Sequence, residues 1–262
     1  MPPLPQLTSE QYAILFGAGF LAGGINSLAG GGGFITLPTL QYTGLTSVMS
    51  NTTGSMAVWP GNIAGILAYR RELRGVKQPL VLFLSIGVVG SFIGAELLMH
   101  SSSKIFDRVL PFLLLLATLL FAFGDRITKF LTAPGPDGVP KTLPRPYVIF
   151  LLTVIAVYGG YFGGGMGIMT LAVLALLGMT DIHEMNALKS LLVMTINAVC
   201  NAIFILQDQI AWSRCLIMMV GCFIGGFLAG FIARKVDRKK VRWSVVGIGM
   251  TMSSYYFYRL LA

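Results

Sequence analysis

The chain has 262 residues, 55% of them hydrophobic and 11% charged; with a mean hydropathy of +0.77 it is no soluble domain, where about a quarter of residues carry charge. A formal charge of +9 would point a soluble protein towards nucleic acid, but here Lys and Arg gather in short loops between apolar spans, where orientation across a bilayer accounts for them. Apolar runs approaching the ~20 residues of a membrane helix recur along the chain, without the ~10-residue alternation of barrel strands, so the expected fold class is an all-α polytopic membrane protein.

At the N-terminus MPPLPQLTSE has no basic n-region, and the first apolar run is expected to be retained rather than cleaved. Apolar segments follow at about 12–29, 34–45, 51–69, 79–100 and 108–124. Across the first two runs GGINSLAGGGGFITLPTL, Gly23 to Leu40, in which the Gly30–Gly33 tract argues against uninterrupted helix. Each glycine costs a helix interior up to ~1 kcal/mol relative to alanine. Broken backbone at membrane depth persists only where protein or a water-filled cavity covers it, as in transporter sites where half-helix N-termini meet a solute. The alternative is a glycine-softened packing contact between helices.

From Asp125 to Pro146 the sequence turns rich in Pro and charge, DRITKFLTAPGPDGVPKTLPRP, and reads as an exposed connector. Apolar segments then resume at about 147–163, 167–180, 186–206, 214–233 and 241–258. The chain thus divides into an N-terminal membrane repeat, 1–124, a connector, 125–146, and a C-terminal membrane repeat, 147–262.

The halves match in order, length and residues. At one offset Gly30, Gly31 and Gly33 fall on Gly164, Gly165 and Gly167, Thr36 on Thr170 and Gly44 on Gly178; after a one-residue shift Asn51, Ser55 and Asn62 fall on Asn186, Ser190 and Asn197. This reads as an internal duplication. The basic loops, however, are exchanged: Arg70 to Lys77 is basic where its counterpart Gln207 to Arg214 is not, and Arg234 to Arg242 is basic where Ser101 to Arg108 is sparse. If basic loops face the cytoplasm, the halves are inverted, each with an odd number of crossings. That favours five plus five with both termini outside over an alternative of four plus four.

Enzymes need clustered His, Cys or carboxylates, and ten Asp and Glu with two His are spread thinly here. Asp181, His183 and Glu184 share one loop without further ligands nearby, and Cys200, Cys215 and Cys222 lie in apolar runs without metal-like spacing. No catalytic residue, metal or cofactor is expected. Polar residues inside spans are costly in lipid and tend to line the interior. The segment from Asn51 brings Asn51, Thr52, Thr53, Ser55 and Asn62 into one helix, and its counterpart brings Asn186, Lys189, Ser190, Thr195, Asn197 and Asn201. Such donors suit an anion, with Asn186, Lys189 and Ser190 on one face near a helix start. Lys189 supplies charge, or alternatively snorkels to the interface. Asn26 and the glycines Gly31, Gly32, Gly164 and Gly165 complete the candidate substrate-binding set. Glu96 is a coupling candidate, or else pairs with a loop arginine at the membrane surface.

The first glycine tract followed by FITLPTL, the polar helix from Asn51, and the repeat with GGYFGGGMG and then NALKS resemble the sulfite exporter TauE/SafE family. The resemblance runs from about Gly17 to the end. It implies a bacterial-type inner-membrane carrier for sulfur-containing anions or small organic acids, such as sulfite or the organosulfonate sulfoacetate. The expected function is a secondary transporter, working as an exporter by alternating access between the repeats; an anion channel, a carrier of another organic acid and a non-transporting scaffold are the rivals. The partners expected are the small anionic solute and the lipid bilayer, and a homo-oligomer is compatible with the sequence.

Overall fold

The computed structural model describes residues 6–29, 31–68, 73, 79–132, 142–232 and 238–261. Gly30, the stretch 133–141 and, apart from Leu73, the loop 69–78 lie outside the described residues, as does the side chain of Asn62. Within them the chain is all-helical. Its ten helices are α1 (Ser9–Ala29), α2 (Gly33–Tyr42), α3 (Ser47–Ala68), α4 (Leu80–His100), α5 (Ser103–Thr132), α6 (Arg145–Tyr161), α7 (Met166–Leu176), α8 (Ile182–Leu206), α9 (Trp212–Ile232) and α10 (Arg238–Leu261). Each expected apolar segment is occupied by one of them. Leu80–His100, Ser103–Gly124, Ile182–Leu206 and Trp212–Ala229 are long and apolar enough to cross a bilayer.

Local chemistry sets several boundaries. Asp181 opens α8, its carboxylate accepting from the backbone N–H of His183 at 2.8 Å and of Glu184 at 3.4 Å, the usual N-cap arrangement. Asp181 thus serves as a helix cap. Helices α2 and α7 close in the same way: Gly44 and Gly178 both take φ of 87°, a left-handed conformation that glycine adopts without strain. Helix α5 runs on through Asp125–Thr132, the first part of the expected connector. Arg126, stacked 5.9 Å from the Phe123 ring, helps to carry it there.

Glycine decides the long contacts. On α1 a Cβ at Gly19 would come 2.3 Å from the Met218 carbonyl oxygen, and one at Gly23 would come 2.0 Å from that of Cys222. Helix α9 reciprocates with Gly221 and Gly225 against Phe16 and Phe20. Sequence number rises together on both helices, so α1 and α9 run in the same direction. Helices α4 and α6 pair likewise: a Cβ at Gly94 would lie 2.1 Å from the Val157 carbonyl oxygen, and one at Gly160 would lie 2.5 Å from that of Ser91. Helices α5 and α10 instead oppose each other, Ser253 donating to the Pro111 carbonyl at 3.1 Å and Arg242 to that of Ala122 at 2.7 Å.

These directions define two ends. The near end, where α1 begins, gathers the α2–α3, α4–α5 and α8–α9 turns and the end of α10. There the Arg214 guanidinium, 1% exposed, donates to the Thr43 hydroxyl and carbonyl, both at 3.2 Å. At the same end the Ser47 hydroxyl donates to Asp107, Gln41 Nε2 to the Ser47 hydroxyl and the Tyr256 hydroxyl to Gln41 Oε1. At the far end the Leu143 N–H donates to the Leu176 carbonyl at 2.8 Å, tying the end of α7 to the start of α6. Side chains such as Leu15, Leu98, Leu110, Leu174, Leu188 and Leu192 are fully buried between the helices, while Phe92, Phe223 and Phe227 stay exposed on α4 and α9, an outer surface suited to lipid.

Candidate functional site

The two short helices start near mid-depth and run apart. Gly31, just before α2, sits so close to α10 that a Cβ would come 2.6 Å from Val245 Cγ1. Beyond it Phe34 meets Phe121 edge-on at 5.8 Å and lies beside Gly249, the midpoint of the 24-residue α10. From there α2 rises to the near end. Gly165, which caps the start of α7 at φ 77°, lies against Ala117, the midpoint of the 30-residue α5. Helix α7 then descends to the far end.

The α2 N-terminus therefore abuts α10 and the α7 N-terminus abuts α5, the two long helices that pair in opposed direction. A helix N-terminus presents unpaired N–H groups and the positive end of its dipole, which favours anions. Gly32 cannot carry a side chain, since its Cβ would lie 2.8 Å from the Ala22 carbonyl oxygen and 3.0 Å from the Asn26 Cβ; this places half-buried Asn26 beside the break. Gly164 offers its carbonyl to the Tyr158 hydroxyl at 2.6 Å, which fixes the second break.

A second polar group lies where α3 and α8 cross. The Ser55 hydroxyl is within reach of the Asn201 Oδ1 at 3.2 Å and the Asn197 Oδ1 at 3.4 Å, and with one proton it donates to one of them at a time. Asn197 Nδ2 donates to the Val193 carbonyl at 2.8 Å. Asn201 is 1% exposed, and its Nδ2 finds no acceptor among the described residues; neither does the buried indole Nε1 of Trp59, one turn beyond Ser55. An unpaired buried donor costs about 1–3 kcal/mol, a cost that an acceptor oxygen of a solute would remove.

Lys189 belongs to the α7 break. Its Cδ would be 3.4 Å from a Cβ on Gly167, in the first turn of α7, and its Nζ donates to Asn186 Oδ1 at 2.8 Å. Asn186 in turn donates to the Ile182 carbonyl at 2.8 Å, and half-buried Ser190 follows Lys189. Other sequence candidates hold the near end together. Asn51 donates to the Tyr161 carbonyl at 3.3 Å, and buried Thr52 donates to that of Gln209 at 2.5 Å. Glu96 also lies towards that end, its carboxylate accepting from Gln207 Nε2 at 3.2 Å and lying 3.5 Å from His100 Nδ1. Among the described residues its partners are thus an amide and an imidazole, and no loop arginine. The orphan indole of Trp59 and the hydroxyl of Tyr158 were not singled out from the sequence, because neither residue type is unusual in an apolar span.

Comparison with known proteins agrees with this architecture. Residues 15–256 match the family profile described as Sulfite exporter TauE/SafE. A probable membrane transporter protein of Haemophilus influenzae is 32% identical over 251 residues, covering 94% of each chain. The probable membrane transporter protein YfcA of Escherichia coli K12 is 26% identical over 246 residues, covering 94% of this chain and 89% of its own. No solved structure matches. The relatives are described as membrane transporters rather than enzymes, the helices are those of a multi-pass membrane protein, and the chain belongs to the sulfite exporter TauE/SafE family.

Proposed function

We propose that the protein is a secondary carrier that exports a small sulfur-containing anion, sulfite or an organosulfonate such as sulfoacetate, by alternating access between two inverted halves. The observation that carries this reading is the pair of half-length helices α2 and α7, which start near mid-depth, one against α10 and the other against α5, and run to opposite ends. The solute sits between their N-termini and the α3–α8 crossing, with Lys189 supplying charge and Asn201, Asn197 and Trp59 supplying donors. The family description supports the sulfur-anion class.

Inversion is supported by the helix pairings. As α1 lies along α9, so α4 lies along α6; as α3 packs on α9, so α8 packs on α4; and α5 pairs with α10 in opposed direction. Orientation is supported by charge. Of the 19 Lys and Arg, Lys104, Arg108, Arg214 and Arg259 belong to the near end with Glu10, Glu96, Asp107 and Asp208; apart from Lys189 inside α8, the others fall by sequence in or beside the stretches that join helices at the far end. The far end is then cytoplasmic, and both termini are outside.

Counterflow of labelled sulfite or sulfoacetate into vesicles preloaded with the same anion tests the proposal. A carrier shows saturable counterflow that Lys189→Ala abolishes. Flux that never saturates and shows no counterflow indicates a channel, and no flux for either anion sinks the sulfur-anion assignment.

A further inference from the structure

A cavity of about 250 Å³ opens at the near end, lined by Lys104, Asp107, Arg108, Tyr256, Arg259 and Leu260. At ~30 Å³ per water it holds a small ion with part of its hydration shell, and it is smaller than the ~300–1,000 Å³ of drug-sized pockets. Three of its six side chains are cations and one is a carboxylate. That carboxylate already accepts from Ser47 in the wall behind. Among the described residues, no ion pair within 4.0 Å joins Lys104, Arg108 or Arg259 to any carboxylate.

Two further features add positive potential. Lys104 and Arg108 stand in the first two turns of α5, where the helix dipole disfavours cations. A breach of that local rule without a compensating partner is what functional sites tend to show. At the other end of the same α5–α10 seam the arginines are engaged with their own surroundings: Arg242 donates to the Ala122 carbonyl at 2.7 Å, and Arg126 lies over Phe123. The near end of the seam thus carries an open cationic pocket.

We propose that this pocket binds a small soluble oxyanion, a sulfonate or sulfate-type head, as a vestibule on the outer face of the carrier. That the bound anion is the carried one rests on the reading above; that the pocket binds an oxyanion does not. A phospholipid head offers similar chemistry, and the test separates the two. Cys200, Cys215 and Cys222 are all buried, so Leu261→Cys, at an exposed position next to the pocket-lining Leu260, accepts a bimane fluorophore selectively. The labelled protein in uncharged detergent is titrated with sodium sulfate, sodium methanesulfonate and dioctanoyl phosphatidylglycerol, with chloride held constant.

The expected result is a saturable fluorescence change with a soluble anion, its apparent Kd raised about tenfold or more in Arg108→Gln/Arg259→Gln, since each charge-assisted hydrogen bond is worth ~1.5–3 kcal/mol. Both arginines are exposed, so the variant should keep the parent's melting temperature. No saturable response to either soluble anion, saturation by the lipid alone, or an unchanged Kd in the double variant each overturns the vestibule. Counterflow measured on the same preparations keeps the two readings apart. Flux with a silent pocket removes the vestibule alone, and a responsive pocket without flux removes the carrier alone.

Discussion

Asn201 is almost fully buried yet leaves its Nδ2 without an acceptor among the described residues, so stability and binding pull in opposite directions at this residue. Asn201→Leu is expected to leave the melting temperature unchanged or to raise it, by up to ~1 kcal/mol, because a buried orphan donor is replaced by an apolar group of similar shape. The same variant should lose sulfite-dependent stabilisation in a thermal-shift assay. A large fall in melting temperature would mean instead that the amide holds α3 to α8. Gly23 makes the opposite case. Its missing Cβ lets the α1 and α9 backbones touch, and Gly23→Val should destabilise by ~1–3 kcal/mol or prevent insertion, as overpacking does in cores, read as a lower detergent-melting temperature.

At the scale of elements, the glycines of the two breaks are not equivalent. Gly33 opens α2 with nothing within 4 Å of its Cβ direction, whereas Gly165 opens α7 at φ 77° against Ala117 and Leu120. Gly33→Ala should be neutral or stabilising by up to ~1 kcal/mol, since alanine costs less chain entropy and favours helix. Gly165→Ala must strain a left-handed residue and should destabilise by roughly 1–2 kcal/mol while slowing counterflow. Equal melting temperatures for the two variants would show that the α7 break relaxes freely. The short helices owe their length to these breaks. A stretch of 10 or 11 residues is ~15 Å long at 1.5 Å per residue, half of a ~30 Å hydrocarbon core.

At the scale of the molecule, the division of charge between the ends predicts topology. With the native cysteines buried, Ser102→Cys at the near end and Leu143→Cys at the far end, both exposed, report on it. In intact cells a membrane-impermeant maleimide should label Ser102→Cys and should reach Leu143→Cys only after permeabilisation. The reverse pattern would put the basic end outside, against the positive-inside rule, and would turn the cationic pocket towards the cytoplasm.

What the sequence determined by itself was the helix inventory and its punctuation. Hydrophobic run length, Pro and Gly positions, and the left-handed glycines Gly44 and Gly178 are local signals, governed by residues a few positions apart. The family was likewise readable from short motifs along the chain. Tertiary structure alone decided which polar residues share a place. Thr52 and Asn51 looked as eligible as Asn197 from their spacing, but Thr52 spends its hydroxyl on the Gln209 carbonyl and Asn51 its amide on that of Tyr161. Those partners lie more than a hundred positions away in the chain. The cationic pocket joins the start of α5 to the end of α10 in the same way. Helix periodicity encodes which face of one helix is polar; which other helix meets that face is set by backbone contact at glycines on α1, α4, α6 and α9, and no local pattern carries that pairing.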